Sequence, residues 1–119
     1  MPEIPEAARP ALDMLRGVGG DGMISMLMRT FLDFATERMA RLAEEADKGR
    51  WDEVASVAHA LKSSARQLGA VQLADACAVA EAAGRAGDGA TAASGVAAMR
   101  EAFAAARPWM QELAAAASS

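Results

Sequence analysis

Residues Trp51 to Ala70 read W-D-E-V-A-S-V-A-H-A-L-K-S-S-A-R-Q-L-G-A. At about 100° of rotation per residue, Val54, Val57, Ala58, Leu61, Ala65 and Leu68 share an arc of roughly 100°, with Trp51 at its edge. That spacing predicts a helix from Trp51 to Leu68 laid on an apolar core, and Gly69 supplies its stop. His59 is the single histidine of the chain. It projects about 150° from the centre of the apolar arc, toward solvent. Lys62, Ser63 and Arg66 return to its side at i+3, i+4 and i+7. A core histidine would lie with Leu61 and Leu68. This one is turned outward, beside two cations and a hydroxyl.

The same periodicity extends in both directions. Ile24, Leu27, Met28, Phe31, Phe34, Ala35, Met39 and Leu42 step by three and four, predicting a helix from Gly22 to Lys48. Asp21 is a candidate N-cap and Gly49 the stop. Met23 and Met28 belong near that stripe, whereas Met26 falls off it. A third helix is expected from Val71 to Arg85, with Leu73, Ala76, Cys77 and Ala80 on one face. Gly87, Asp88 and Gly89 then mark a loop before a fourth helix from Thr91 to Arg107. Pro108 is expected to kink or restart it, and Trp109 and Leu113 continue its apolar face. Ahead of Asp21, Pro10 to Arg16 suits a short helix ended by Gly17, Gly19 and Gly20. Ala114 to Ser119 reads as a frayed tail. Short connections make consecutive helices antiparallel. The fold class is therefore all-α: an up-down-up-down four-helix bundle over 21–113, with an N-terminal helical appendage over 1–20.

Composition agrees with a single all-helical domain. The 119 residues are 53% hydrophobic, with two tryptophans, three phenylalanines and no tyrosine. Helix formers dominate and β-branched residues are sparse. No apolar run approaches the ~20 residues a bilayer requires. Pro2, Glu3, Pro5 and Glu6 occupy the place of a basic, apolar secretory start, so the expected location is cytoplasmic. The lone Cys77 excludes an internal disulfide and reads as a small buried residue. One histidine and one cysteine do not make a zinc site. A net charge of −4 argues against nucleic acid as a partner. No glycine-rich phosphate loop is present.

Helices two and three form a hairpin about Ala70. His59 lies 11 residues before that turn and Glu81 lies 11 after it. Equidistant residues of an antiparallel pair are neighbours, so a carboxylate reaches one imidazole nitrogen. It would fix the tautomer and leave the other nitrogen unprotonated toward solvent. Near pH 7 such an imidazole is a nucleophile. Lys62, one turn on, would offer positive charge to a phosphoryl group held there. The plainer alternative leaves Glu81 and Lys62 merely solvated.

The string H-x-L-K-x-S-x-x-x-L-G-A, from His59 to Ala70, resembles the signature of histidine-containing phosphotransfer (HPt) domains. F-L-D-F-A-T-E-R-M-A-R-L from Phe31, G-R-W-D-E-V-A-S-V-A-H from Gly49 and L-A-D-A-C-A-V-A-E from Leu73 are also similar to that family, over roughly Met23 to Leu113. The resemblance implies a phosphorelay shuttle without kinase activity of its own. His59 would carry a phosphoryl group between aspartates of response-regulator receiver domains, downstream of a hybrid sensor histidine kinase. Lys62 would offset its charge, and Glu81 matches the polar residue that orients the imidazole. No cofactor is implied on this chain, because Mg²⁺ and the acidic pocket belong to the receiver. Gly69 matches the helix-ending glycine, and Arg66 and Gln67 are candidate partner contacts with Ser63 and Gly69.

One position departs from the family. Ser63 stands where a glycine usually leaves room for the receiver, which puts transfer rate or partner choice in question more than the fold. An alternative reading is therefore a scaffold that keeps the bundle and binds a receiver or kinase without transferring phosphoryl. Another is the phosphotransfer domain of a chemotaxis-type kinase, although Met1 and the Ser118–Ser119 end favour a free-standing chain. An enzyme with its own turnover lacks a nucleophile–base pair or metal cluster. The expected oligomeric state is a monomer.

Overall fold

The computed structural model describes residues 3–116. A 3₁₀ turn at Glu6–Ala8 precedes four helices: α1 (Arg9–Asp47), α2 (Trp51–Gln67), α3 (Val71–Arg85) and α4 (Gly89–Ala116). No strand occurs among the described residues. Consecutive helices run antiparallel. α3 packs against both α2 and α4, and α1 closes the ring against α4 and α2. The bundle measures 44 × 23 × 22 Å.

The apolar stripes form its core. Val54, Val57, Ala58, Leu61, Ala65 and Leu68 of the α2 stripe are all buried, together with Ile24, Met28, Phe31 and Leu42 of α1. Phe31 meets Phe103 of α4 edge to face at 6.5 Å. α3 is buried on both flanks and is correspondingly small-sided, with Ala74, Ala76, Cys77, Ala80 and Ala83 inside. Two glycines set its distances. A Cβ on Gly84 would lie 2.6 Å from the Trp51 carbonyl oxygen, and one on Gly95 of α4 would lie 2.9 Å from Ala80 Cα. The helix axes approach closely because side chains are missing there.

The three connections repeat one device. Gly49, Gly69 and Gly87 each carry positive φ, and Arg50, Ala70 and Asp88 each donate back five residues, to the carbonyls of Glu45, Ala65 and Ala83. This is the Schellman closure. At Gly69, φ is 84° and a Cβ would sit 2.8 Å from Ala8 Cα, so both the backbone angle and the space require glycine.

Several boundaries differ from those the sequence predicts. The expected N-terminal helix is present and longer than expected: α1 runs from Arg9 through Gly17 and Gly19, breaks at Gly20 (φ 72°, ψ −170°), and continues beyond that kink as the first helix of the bundle. Ala8 and Leu12 are buried, and Ile4 and Leu15 pack on the core, so the arm belongs to the bundle. Asp21 is not spent on capping, since its carboxylate accepts from Arg16 Nε at 2.8 Å across the kink. α4 starts at Gly89, where Asp88 Oδ1 accepts from the Thr91 N–H at 3.2 Å as an N-cap.

Pro108 lies inside α4 without ending it. The Ala104 carbonyl it orphans is on an exposed residue where water can bond to it. The expected frayed tail is helical through Ala116, and Ala114 is buried; residues 117–119 lie outside the described ones. Side chains of α1 hold this end. Ser25 Oγ donates to the Leu113 carbonyl at 2.6 Å and Arg29 Nη1 to that of Ala114 at 2.8 Å, satisfying carbonyls a helix end leaves open.

Candidate functional site

α2 turns its apolar stripe inward, and His59 on its opposite side has a side chain 56% exposed. Glu81 of α3 faces it across the hairpin with a side chain only 6% exposed. His59 Nδ1 lies 2.9 Å from Glu81 Oε2. An ionised carboxylate only accepts, so Nδ1 carries the hydrogen in the neutral ring and Nε2 keeps its lone pair. Nε2 has no hydrogen bond to any described residue. The equal spacing of His59 and Glu81 about Ala70 thus becomes a direct contact.

Glu81 is charged despite its burial. Lys62 Nζ donates to Oε1 at 2.7 Å, and Arg85 Nη2 lies 2.7 Å from Oε2. The Lys62 bond above all, with His59 and Arg85, holds the Glu81 carboxyl below the usual carboxylate range, against burial that pushes it up. Lys62 is itself only 22% exposed, its stem lying along the helix face. The cluster therefore sets two cations, Lys62 and Arg85, against one carboxylate beside His59, leaving an excess of positive charge for an incoming anion.

The remaining residues expected at the site divide by exposure. Ser63, one turn from His59, is exposed, as are Arg66 and Gln67. Gly69 is buried beneath Ala8, where it makes the turn between α2 and α3. Cys77 is fully buried, and burial pushes its thiol up to about 12, which removes it from thiolate chemistry. Among the described residues no cluster of histidine, cysteine and acidic side chains is close enough to hold a metal ion. Nor is any described helix long and apolar enough to cross a membrane.

Two features escaped the sequence reading. Arg85 was legible as the i+4 cation after Glu81, a spacing that pairs charges along a helix. The other is an apolar groove of about 260 Å³ between α1 and α2, lined by Leu27, Thr30, Phe31, Phe34, Ser64, Gln67 and Leu68. Leu27 and Phe34 have core periodicity, yet both stay half-buried and leave the groove open beside the histidine face.

Comparison with curated proteins and with solved structures returns no significant match. The family model described as the Hpt domain matches residues 26–109, well over half of the chain and spanning His59, Lys62, Glu81 and Arg85. Hpt domains act in phosphorelay phosphotransfer with receiver domains and kinases. On that match the chain belongs to the Hpt domain family.

Proposed function

We propose that this protein is a phosphoryl carrier of a two-component phosphorelay, taking the group from an aspartyl phosphate of one receiver domain onto Nε2 of His59 and passing it to an aspartate of another. The observation that carries this reading is the 2.9 Å contact of Nδ1 with a buried, ionised Glu81, on a ring more than half exposed. The Nε2 lone pair attacks phosphorus, a P–N bond forms, the P–O bond to the aspartate breaks, and the carboxylate leaves. Nδ1 keeps its hydrogen on Glu81, so the phosphorylated ring carries positive charge. That makes it a good leaving group for the onward step, in which the same events run in reverse toward a second aspartate.

Lys62 offsets the phosphoryl charge from one turn away. Mg²⁺ comes with the receiver's acidic pocket, and this chain contributes no cofactor. Ser63, Arg66 and Gln67 form the polar border of the docking surface, and the groove of Leu27, Phe31 and Phe34 supplies its apolar part. The carrier works in the cytoplasm, as a monomer, and has no kinase activity of its own.

The test is incubation of the chain with a radiolabelled, phosphorylated receiver domain from the same organism, beside His59→Gln. Acid-labile, base-stable label on the wild type and none on the variant is the expected result. Ser63 favours one other reading, because its exposed side chain stands over the face where the family usually has glycine. If receivers bind and no label moves, the protein is a scaffold, and Ser63→Gly becomes the informative variant.

A further inference from the structure

Glu81 has three partners, and phosphoryl transfer at His59 draws on two of them. Lys62 reaches Oε1 from α2, whereas Oε2 receives both His59 Nδ1 at 2.9 Å and Arg85 Nη2 at 2.7 Å. The last torsion of a glutamate side chain is broad and roughly two-fold, so a grip on one oxygen leaves the carboxylate free to turn about it. Lys62 is such a grip: an ammonium is a point charge without a preferred plane. In the neutral ring the imidazole N–H is the weakest of the three. By themselves, these two leave the direction of Oε2 soft.

We propose that Arg85 is a positioning residue for His59, holding Oε2 of Glu81 where that same oxygen meets the Nδ1–H and so selecting the tautomer that leaves Nε2 free. Arg85 stands one turn after Glu81 on α3, so its reach to Oε2 does not depend on how α2 settles. Its charge, 2.7 Å from Oε2, holds the second carboxylate oxygen while Lys62 holds the first, so the group is fixed at two points. Oε2 thus takes the hydrogen bond of His59 Nδ1 while in ion-pair contact with Arg85. The guanidinium is 63% exposed, so it adds little to stability compared with what it adds to orientation. The bland reading, an i,i+4 pair that only supports α3, predicts a change in melting temperature and nothing at the imidazole.

The tautomer readout stands on geometry alone, while the transfer readout rests on the proposed phosphotransfer function. Nitrogen-15 NMR of the imidazole in wild type, Arg85→Ala and Arg85→Lys reads the tautomer. Potassium phosphoramidate supplies the phosphoryl group without any partner protein: Nε2 bonds to phosphorus, its P–N bond breaks, and ammonia leaves with a proton from water. Expected are a single Nδ1–H tautomer in the wild type, a mixture in Arg85→Ala with acceptance slowed about threefold to fivefold, and recovery toward wild type in Arg85→Lys. Wild-type nitrogen shifts and rate in Arg85→Ala, with only a lower melting temperature, overturn the proposal. A wild type that takes no phosphoryl group onto His59 counts against the carrier function instead, and the tautomer comparison still decides the role of Arg85.

Discussion

Replacing Glu81 by glutamine keeps its shape and removes its charge, and the donors around it dictate the consequence. Lys62 donates to Oε1, His59 Nδ1 bonds Oε2, and Arg85 makes an ion pair with Oε2. Glutamine has one acceptor atom, and its amide nitrogen only donates. With its oxygen toward His59 and Arg85, the amide faces Lys62 and displaces a largely buried ammonium. Turned the other way, it satisfies Lys62 and presents N–H to Nδ1, which moves the ring hydrogen to Nε2 and blocks the nucleophile. Neither orientation serves both hydrogen-bond partners, and neither keeps the ion pair with Arg85.

The stability term comes chiefly from Lys62, since a hydrogen bond to a charged group contributes about 1.5–3 kcal/mol. Arg85, mostly exposed, adds about 0.2–1 kcal/mol. The cheaper desolvation of an amide offsets part of this, leaving a net loss of about 1–3 kcal/mol. For a chain of this size that is a fall of roughly 4–12 °C in Tm.

The loss depends on pH in a defined direction. Lys62, His59 and Arg85 depress the folded-state value of Glu81. Its carboxylate therefore contributes stability above the ordinary glutamate value of about 4.3, and that contribution disappears as pH falls through the depressed value. Glutamine does not titrate, and the other carboxylates are common to both chains. Urea unfolding of wild type and Glu81→Gln at pH 7 and pH 3, followed by circular dichroism, should show a gap at pH 7 that narrows at pH 3. A gap of equal size at both pH values, or a glutamine variant as stable as wild type at pH 7, would refute the reasoning.

Gly84→Ala sets two effects against each other. Helix propensity favours alanine by about 1 kcal/mol, yet the new Cβ would stand 2.6 Å from the backbone oxygen of Trp51. Overpacking costs typically 1–3 kcal/mol, so a thermal melt should show net destabilisation. A raised Tm would mean that α2 and α3 separate freely. Gly69→Ala meets both a φ of 84° and the backbone of Ala8, and should lose about 2 kcal/mol or more in urea titration. The thiol of Cys77, buried and pushed up to about 12, should react with a thiol reagent at pH 8 only as fast as the chain opens. Labelling of folded protein at the rate of free cysteine would contradict its burial.

Much of the fold is written locally. The α2 stripe and the outward turn of His59 follow from a spacing of three and four, because burial of one helix side is a property of consecutive residues. The count of 11 residues on either side of Ala70 places Glu81 opposite His59, because an antiparallel hairpin with a short turn leaves only one register. The helix ends at Gly49, Gly69 and Gly87 are equally plain, since positive φ suits glycine.

What was not legible depends on residues far apart in the chain. Three glycines mark the end of the N-terminal helix, and it does break at Gly20, but its packing of Ala8 and Leu12 on the core is not written in that segment. The last turn of α4 looks frayed until Ser25 and Arg29, 88 and 85 residues away, bond to its carbonyls. Leu27 and Phe34 share the period of core residues, and only the separation of α1 from α2 leaves them lining a groove. The sequence by itself determined the four helices, their inward faces and the pairing of His59 with Glu81, all consequences of periodicity and short turns. The tertiary structure alone decided that Glu81 is buried and charged, that Lys62, His59 and Arg85 converge on its two oxygens, and that Gly69 lies under the N-terminal arm. Burial and charge pairing are set by which helices meet, and no single segment carries that information.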